Sequence, residues 1–145
     1  MLSLGAGAFG HYGSDEQDLR ALEAVARALR PGGRLLAQLP NRLKVEAELP
    51  ERTWIEADGA RDTIEQRWDA AAAVLEGTRA SELLDDPGWE DPELAPFNRR
   101  VYSLAELEPM LERAGLTLTG VYDEAGAERP PTPEQWEIYV EATRS

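Results

Sequence analysis

Ala28-Leu29-Arg30-Pro31-Gly32-Gly33-Arg34-Leu35 is the stretch that decides the fold. Proline cannot continue a helix, and glycine takes the left-handed turn that ends one, so residues 31–33 join a helix directly to a strand. Upstream, Leu19, Leu22, Val25, Ala26 and Leu29 recur at helical spacing and make one apolar stripe. Ser14 begins that helix: Gln17 stands at the capping-box position, and Asp15 and Glu16 face the positive helix end. Downstream, Arg34 to Leu39 is mostly apolar, the profile of a strand covered on both faces. Before the helix, Met1-Leu2-Ser3-Leu4 reads as a short apolar strand. Strand, helix and strand form a βαβ unit, whose crossover is right-handed.

From about Leu43 to Asn98 the pattern changes. Thr53 to Glu56, Asp62 to Trp68 and Val74 to Leu84 alternate loosely, punctuated by Gly59, Gly77 and Pro87-Gly88. A small antiparallel insertion over 43–98 is expected, with Ala70 to Leu75 open to either a strand or a helical turn. Asp85 to Pro96 is acidic and proline-containing, an expected exposed loop. Ser103-Leu104-Ala105-Glu106 is a second capping box, and Leu104, Leu107, Met110, Leu111 and Ala114 succeed it with helical spacing. Gly115 closes this helix, and Pro109 inside it removes one ladder hydrogen bond. Leu116 to Tyr122 is a strand. In the last strand Trp136, Ile138, Val140 and Ala142 alternate with Gln135, Glu137, Tyr139 and Glu141, one face buried and one wet.

Bulk composition removes several functions. The 145 residues carry a net charge of −13, which opposes binding to a phosphate backbone. The plainest use of that acidity is solubility. There is no cysteine and one histidine, so neither a disulfide framework nor a thiolate or multi-histidine metal site is expected. No apolar run approaches the roughly 18–20 residues that span a bilayer, so no membrane contact and a cytoplasmic location are expected.

The order of these segments resembles a class I S-adenosylmethionine-dependent methyltransferase of the small-molecule type. The resemblance rests on Phe9-Gly10-His11-Tyr12 after the first strand, on residues 28–35, and on Pro40-Asn41-Arg42. Thr53-Trp54, Arg100-Val101-Tyr102-Ser103 with Glu106-Leu107, Ala114-Gly115-Leu116 and Val121-Tyr122 continue it in order. It implies an α/β fold over 1–145 as one domain, a partial Rossmann-like sheet equivalent to the family's strands 4-5-7-6, with the antiparallel β insertion inside it. It also implies that the chain is the C-terminal half only, lacking roughly 90 residues at about 30 per βαβ unit. The residues that hold the cofactor in the family lie mainly in that other half. Gly5-Ala6-Gly7-Ala8-Phe9-Gly10 superficially suggests a phosphate-type glycine loop, but no acidic-tipped second strand comes after it.

By the same resemblance S-adenosylmethionine is the cofactor, without a metal, and Gly5, Ala6, Phe9 and Gly10 would touch it. His11 and Tyr12 would line the reacting centre. His11 is the only candidate base with a near-neutral ordinary pKa, against a solvated loop histidine as the simpler reading. Asn41, Arg42, Trp54, Arg100 and Tyr102 would face a small-molecule substrate. Arg100 suits a carboxylate clamp or an ion pair with one of the many acidic residues. Trp54 and Trp68 suit the core of the insertion better than a substrate cage. An unpaired Met1–Leu4 edge invites pairing with another chain, so a homodimer through that edge or the insertion is expected. The alternatives are a non-enzymatic dimerising remnant of a methyltransferase, or a start codon assigned too late.

Overall fold

The computed structural model describes residues 1–5, 8–84 and 94–145. Two four-stranded sheets organise it. The first has the order β1-β2-β8-β7, from β1 (Leu2–Leu4), β2 (Arg34–Pro40), β7 (Leu116–Tyr122) and β8 (Glu137–Arg144). β1 pairs with β2 in parallel, and β8 runs antiparallel between β2 and β7. This is the 4-5-7-6 arrangement of a class I methyltransferase-like sheet. The helix α1 (Asp15–Ala28) makes the crossover from β1 to β2, and α3 (Leu104–Arg113) precedes β7.

Both helices start where their caps place them. The Ser14 hydroxyl oxygen accepts from the Gln17 N–H at 3.2 Å, and the Ser103 hydroxyl oxygen accepts from the Glu106 N–H at 3.2 Å. The turn after α1 is fixed by Gly32 at φ +76° and by Arg144 of β8. The Arg144 carbonyl accepts from the Gly32 N–H, and its own N–H donates to the Gly33 carbonyl, both at 2.9 Å.

The core lies between the helices and one face of this sheet. Leu19, Leu22, Ala26 and Leu29 meet Leu107, Met110 and Leu111 over Leu35, Ala37 and Leu39 of β2 and Ile138, Val140 and Ala142 of β8. The register sets Leu35 opposite Ala142, Ala37 opposite Val140 and Leu39 opposite Ile138, so buried side chains abut across the strands.

Two expectations about these strands are corrected. β2 is not covered on both faces: Leu36 and Gln38 are only half-buried, because α1 and α3 pack on the same side. Trp136 does not join the buried stripe of β8. It is 42% exposed, since the strand begins one residue later and Gln135 is buried instead. The Trp136 indole lies 4.7 Å from the Lys44 ammonium.

The second sheet is the antiparallel meander β3 (Arg52–Ala57), β4 (Ala60–Asp69), β5 (Val74–Leu83) and β6 (Ala95–Arg100). Asp58 and Gly59 join β3 to β4 with positive φ at both positions, the two-residue turn that matches strand twist. Asp69 shapes the next turn by accepting from the Ala71 and Ala72 N–H groups, which settles 70–73 as a turn and 74 onward as strand. The loop expected over 85–96 falls for 85–93 outside the described residues, and Ala95 and Pro96 already belong to β6. A smaller core of Val45, Leu75 and Val101, flanked by Trp68 and Phe97, joins this sheet to the rest. A further helix, α2 (Arg42–Ala47), comes after β2, capped by Asn41.

Candidate functional site

In an open α/β sheet ligands collect at the carboxyl ends of the parallel strands. Here those ends lead into the loop to Tyr12 after β1 and into Asn41-Arg42 after β2. The end of β6 joins them: the Arg100 N–H donates to the Gly10 carbonyl at 2.9 Å. Gly10 has φ +92°, and a Cβ there would stand under 3.0 Å from the Arg100 carbonyl oxygen. Glycine at this position serves the approach of two chain segments.

A chain of charged and polar groups runs through the junction. Asp18 is 0% exposed, and its Oδ2 accepts from the Tyr102 hydroxyl at 2.6 Å, while Oδ1 is buried without a donor among the described residues. The same hydroxyl lies 3.0 Å from Asp15 Oδ1, which also accepts from Arg100 Nε at 3.1 Å. The Arg100 guanidinium stacks 4.3 Å from the Tyr102 ring and donates to Glu106. Arg42 closes the chain by donating to both Glu106 and Glu46. Burial, with the Asp18 carboxylate next, raises the Tyr102 phenol far above its ordinary pKa of 10.

Two hollows flank this chain, and Tyr102 and Glu106 line both. The larger, about 670 Å³, lies between α1 and α3 and is edged by Asp15, Glu16 and Glu23. The smaller, about 430 Å³, opens at the carboxyl end of β2 beside Asn41, Ser103 and Ile138. The smaller one has the position that the sheet topology favours, and its volume suits a small molecule.

The sequence-expected residues divide between architecture and surface. Phe9 is buried, its ring 5.5 Å from that of Tyr102. Asn41 is buried, and its side-chain amide donates to the Thr132 and Gln135 carbonyls at 2.8 Å each, holding the segment before β8. Arg100 takes the ion-pair role, with Asp15 and Glu106 as partners. Trp68 belongs to the insertion core, but Trp54 does not: it is 61% exposed on the outer strand β3. Arg42 lies beside the Trp68 ring, at 6.0 Å.

His11 and Tyr12 are exposed on the loop, where the Tyr12 hydroxyl donates to the Ala8 carbonyl. Desolvation and then the nearby Arg99 charge lower the His11 pKa, against the Asn98 backbone and Asp18. Around Gly5 a side chain would meet open space, and Ala6 lies outside the described residues. Phe9 packs in the core and the Gly10 carbonyl is engaged by Arg100. No group of three or more His, Cys, Asp or Glu that could hold a metal occurs among the described residues.

Arg99 stands out in the sequence only as half of the basic pair Arg99-Arg100, and Asp18 carries no signal of its own. Asp18 stands one position before Leu19 and reads as a solvated helix acid. Its burial shows only when Tyr102, 84 positions away, comes to rest on it.

No protein-family profile matches the chain, and no curated protein matches it. Solved structures do. An S-adenosylmethionine-dependent methyltransferase from Clostridium acetobutylicum ATCC 824 matches with a TM-score of 0.80 at 12% identity, over 99% of this chain and 57% of that one. The CcbJ methyltransferase from Streptomyces caelestis matches at 0.76 and 17% identity, over 99% and 59%. DesVI from Streptomyces venezuelae matches at 0.63 and 17%, over 99% and 58%. At these identities the likeness is one of fold: the chain has a class I methyltransferase-like fold and spans less than two thirds of the structures it matches. No helix among the described residues is long and apolar enough to cross a membrane.

Proposed function

We propose that this chain is the substrate-facing part of an S-adenosylmethionine-dependent methyltransferase that acts on a small molecule. The observation that carries the reading is β8, the antiparallel strand set between β2 and β7, in a sheet shared with proteins described as methyltransferases. The 430 Å³ hollow beyond β2 supports a small-molecule acceptor. Methyl transfer from a sulfonium is an in-line displacement, so the protein's part is chiefly positioning. His11 and Tyr12 are the exposed side chains on the loop that would face the reacting centre. Gly5 would approach the donor, while the substrate side would fall to Arg42 with Tyr102 as a fixed wall.

Because Phe9 and Gly10 are otherwise engaged, the chain alone holds the donor weakly. Calorimetric titration of the full chain with S-adenosylhomocysteine is expected to give a Kd on the order of 1 mM, about −4 kcal/mol. A titration that shows no saturable heat at any attainable concentration sinks donor binding by this chain. A micromolar Kd overturns the weak-binding part and leaves the methyltransferase reading stronger.

A second reading is favoured by β1. Among the described residues it is the outer strand of its sheet, three residues long, with Leu2 exposed and no strand paired to its outer side. Such an edge recruits a strand from another chain. A homodimer paired along β1 is the simplest use of it, and light scattering across a concentration series tests it. A dimer mass that falls to monomer in Ser3→Pro supports the pairing, since proline removes a ladder donor. A monomer at every concentration refutes it.

A further inference from the structure

β3 is the outer strand of the meander, and among the described residues no strand pairs with its free side. Trp54 is 61% exposed on it and Ile55 68%, and successive strand residues point to opposite faces. A sheet edge with an apolar side chain on each face is open to a further strand.

The backbone is set for one. The Gln66 N–H donates to the Glu51 carbonyl at 2.8 Å, and an antiparallel ladder alternates, so Thr53, Ile55 and Ala57 turn their backbone groups to β4. Arg52, Trp54 and Glu56 turn theirs outward, and their side chains share one face. That face is a hollow of about 490 Å³, edged by the Trp54 indole.

The order of side chains in this row decides what pairs with it. Reversed, the row Arg52, Trp54, Glu56 is its own complement in charge. A two-fold axis through Trp54, normal to the sheet, sets Arg52 opposite Glu56 of a second copy, twice, with the indoles side by side. On the other face Ile55 meets Thr53 of the second copy. A shift of one residue is forbidden, because it would set side chains of opposite faces against each other. An axis through Thr53 or Ile55 sets Trp54 against a charged residue and leaves the opposite charge unmatched. β1 carries no comparable match, with three residues and no charged side chain.

We propose that β3 is a self-association edge, at which two copies of the chain pair antiparallel over residues 52–56 and join their meanders into one sheet. Trp54 then serves association rather than a substrate. The proposal depends neither on methyl transfer nor on pairing along β1.

The test is run in Ser3→Pro, which takes β1 out of play. Light scattering across a concentration series is expected to give a dimer. Arg52→Glu and Glu56→Arg each set like charges opposite one another twice, and each raises the dimer dissociation constant about tenfold or more. The double variant Arg52→Glu/Glu56→Arg restores opposite charges across the axis and recovers the dimer. Within one chain the double swap brings no gain: Arg52 lies 3.8 Å from Glu65 and Glu56 2.6 Å from Arg61, and the swap sets like charges against both. Recovery therefore reads the interface alone. The same series in the native chain decides the matter should Ser3→Pro not fold.

The register has its own readout, because the chain has no cysteine. Cα atoms across a hydrogen-bonded antiparallel pair lie about 5.5 Å apart, within reach of a disulfide. Trp54→Cys is expected to cross-link to its own copy on oxidation, and Thr63→Cys, its neighbour one strand further in, is not. A monomer at every concentration overturns the proposal. So does a dimer that the single swaps leave intact or the double swap fails to recover, and so does equal cross-linking at positions 54 and 63.

Discussion

Tyr102→Phe is expected to cost about 3 kcal/mol of folding stability, the loss of a hydrogen bond to a charged group plus the penalty for leaving that group buried. The ring itself is not the issue, because phenylalanine keeps the packing against Phe9. The loss falls on Asp18, which is fully buried and whose Oδ1 already has no donor among the described residues. Without the hydroxyl, Oδ2 loses the donor at 2.6 Å as well. Urea denaturation monitored by circular dichroism measures this as a lower midpoint at unchanged slope. The same substitution made in Asp18→Asn should cost well under half as much, since no buried charge is then stranded. Equal losses in both backgrounds would mean that the bond is not the source.

The same pair has a consequence in alkali. Tyr102 ionises far above its ordinary value of 10 in the fold, so the folded state favours the protonated phenol. The stability it confers is complete below pH 10 and is lost as the pH rises above that value.

Gly10→Ala should rival that effect, at about 3 kcal/mol from a strained positive φ and a clash with backbone. Gly13 provides the comparison: its φ is +95°, close to the +92° of Gly10, yet a Cβ there would meet nothing within 4 Å. Gly13→Ala therefore isolates the backbone strain, at about 1 kcal/mol. Gly10→Ala adds collision with the Arg100 carbonyl, which can be relieved only by parting the loop from β6. The Gly10–Arg100 hydrogen bond and the Arg99–Phe9 hydrogen bond both span that seam. Equal losses at positions 10 and 13, read from the same denaturation curves, would show that the seam is loose.

Local signals made much of the fold legible. The caps at Ser14 and Ser103, the turn at 31–33 and the stop at Gly115 each act over a few residues, and together they set the ends of α1 and α3. The order 4-5-7-6 came from a resemblance of ordered motifs, which periodicity alone does not supply. What stayed hidden depends on distant partners. The second helix is only six residues long, and its one buried side chain, Val45, leaves too little periodicity to read. The half-open face of β2 reflects where two helices pack, which no alternation within Arg34 to Leu39 encodes. At the site, Asn41 and Tyr102 face a substrate only by the resemblance, and nothing local in the sequence shows what else they hold. Their partners, the Thr132 carbonyl and Asp18, lie 91 and 84 positions away. Arg99 and Arg100 are indistinguishable in sequence, and only their contacts separate them: Arg100 pairs with Asp15 and Glu106, while Arg99 Nη2 is buried without an acceptor among the described residues.

The place of β8 bears on the order in which the chain gains structure. The meander β3 to β6 grows from neighbouring hairpins, the first closed by two residues, and can form while later residues are still being synthesised. The other sheet has no such freedom. Its centre is the strand nearest the C-terminus, and the Gln38–Glu137 contact beside it closes a loop of 99 residues. Until β8 arrives, β2 and β7 have no common neighbour, and the apolar faces of α1 and α3 have only part of a surface to cover. The core between these helices and this sheet therefore closes only when β8 is in place, and a chain lacking residues 137–144 is expected to leave the apolar faces of α1 and α3 open to chaperones and proteases.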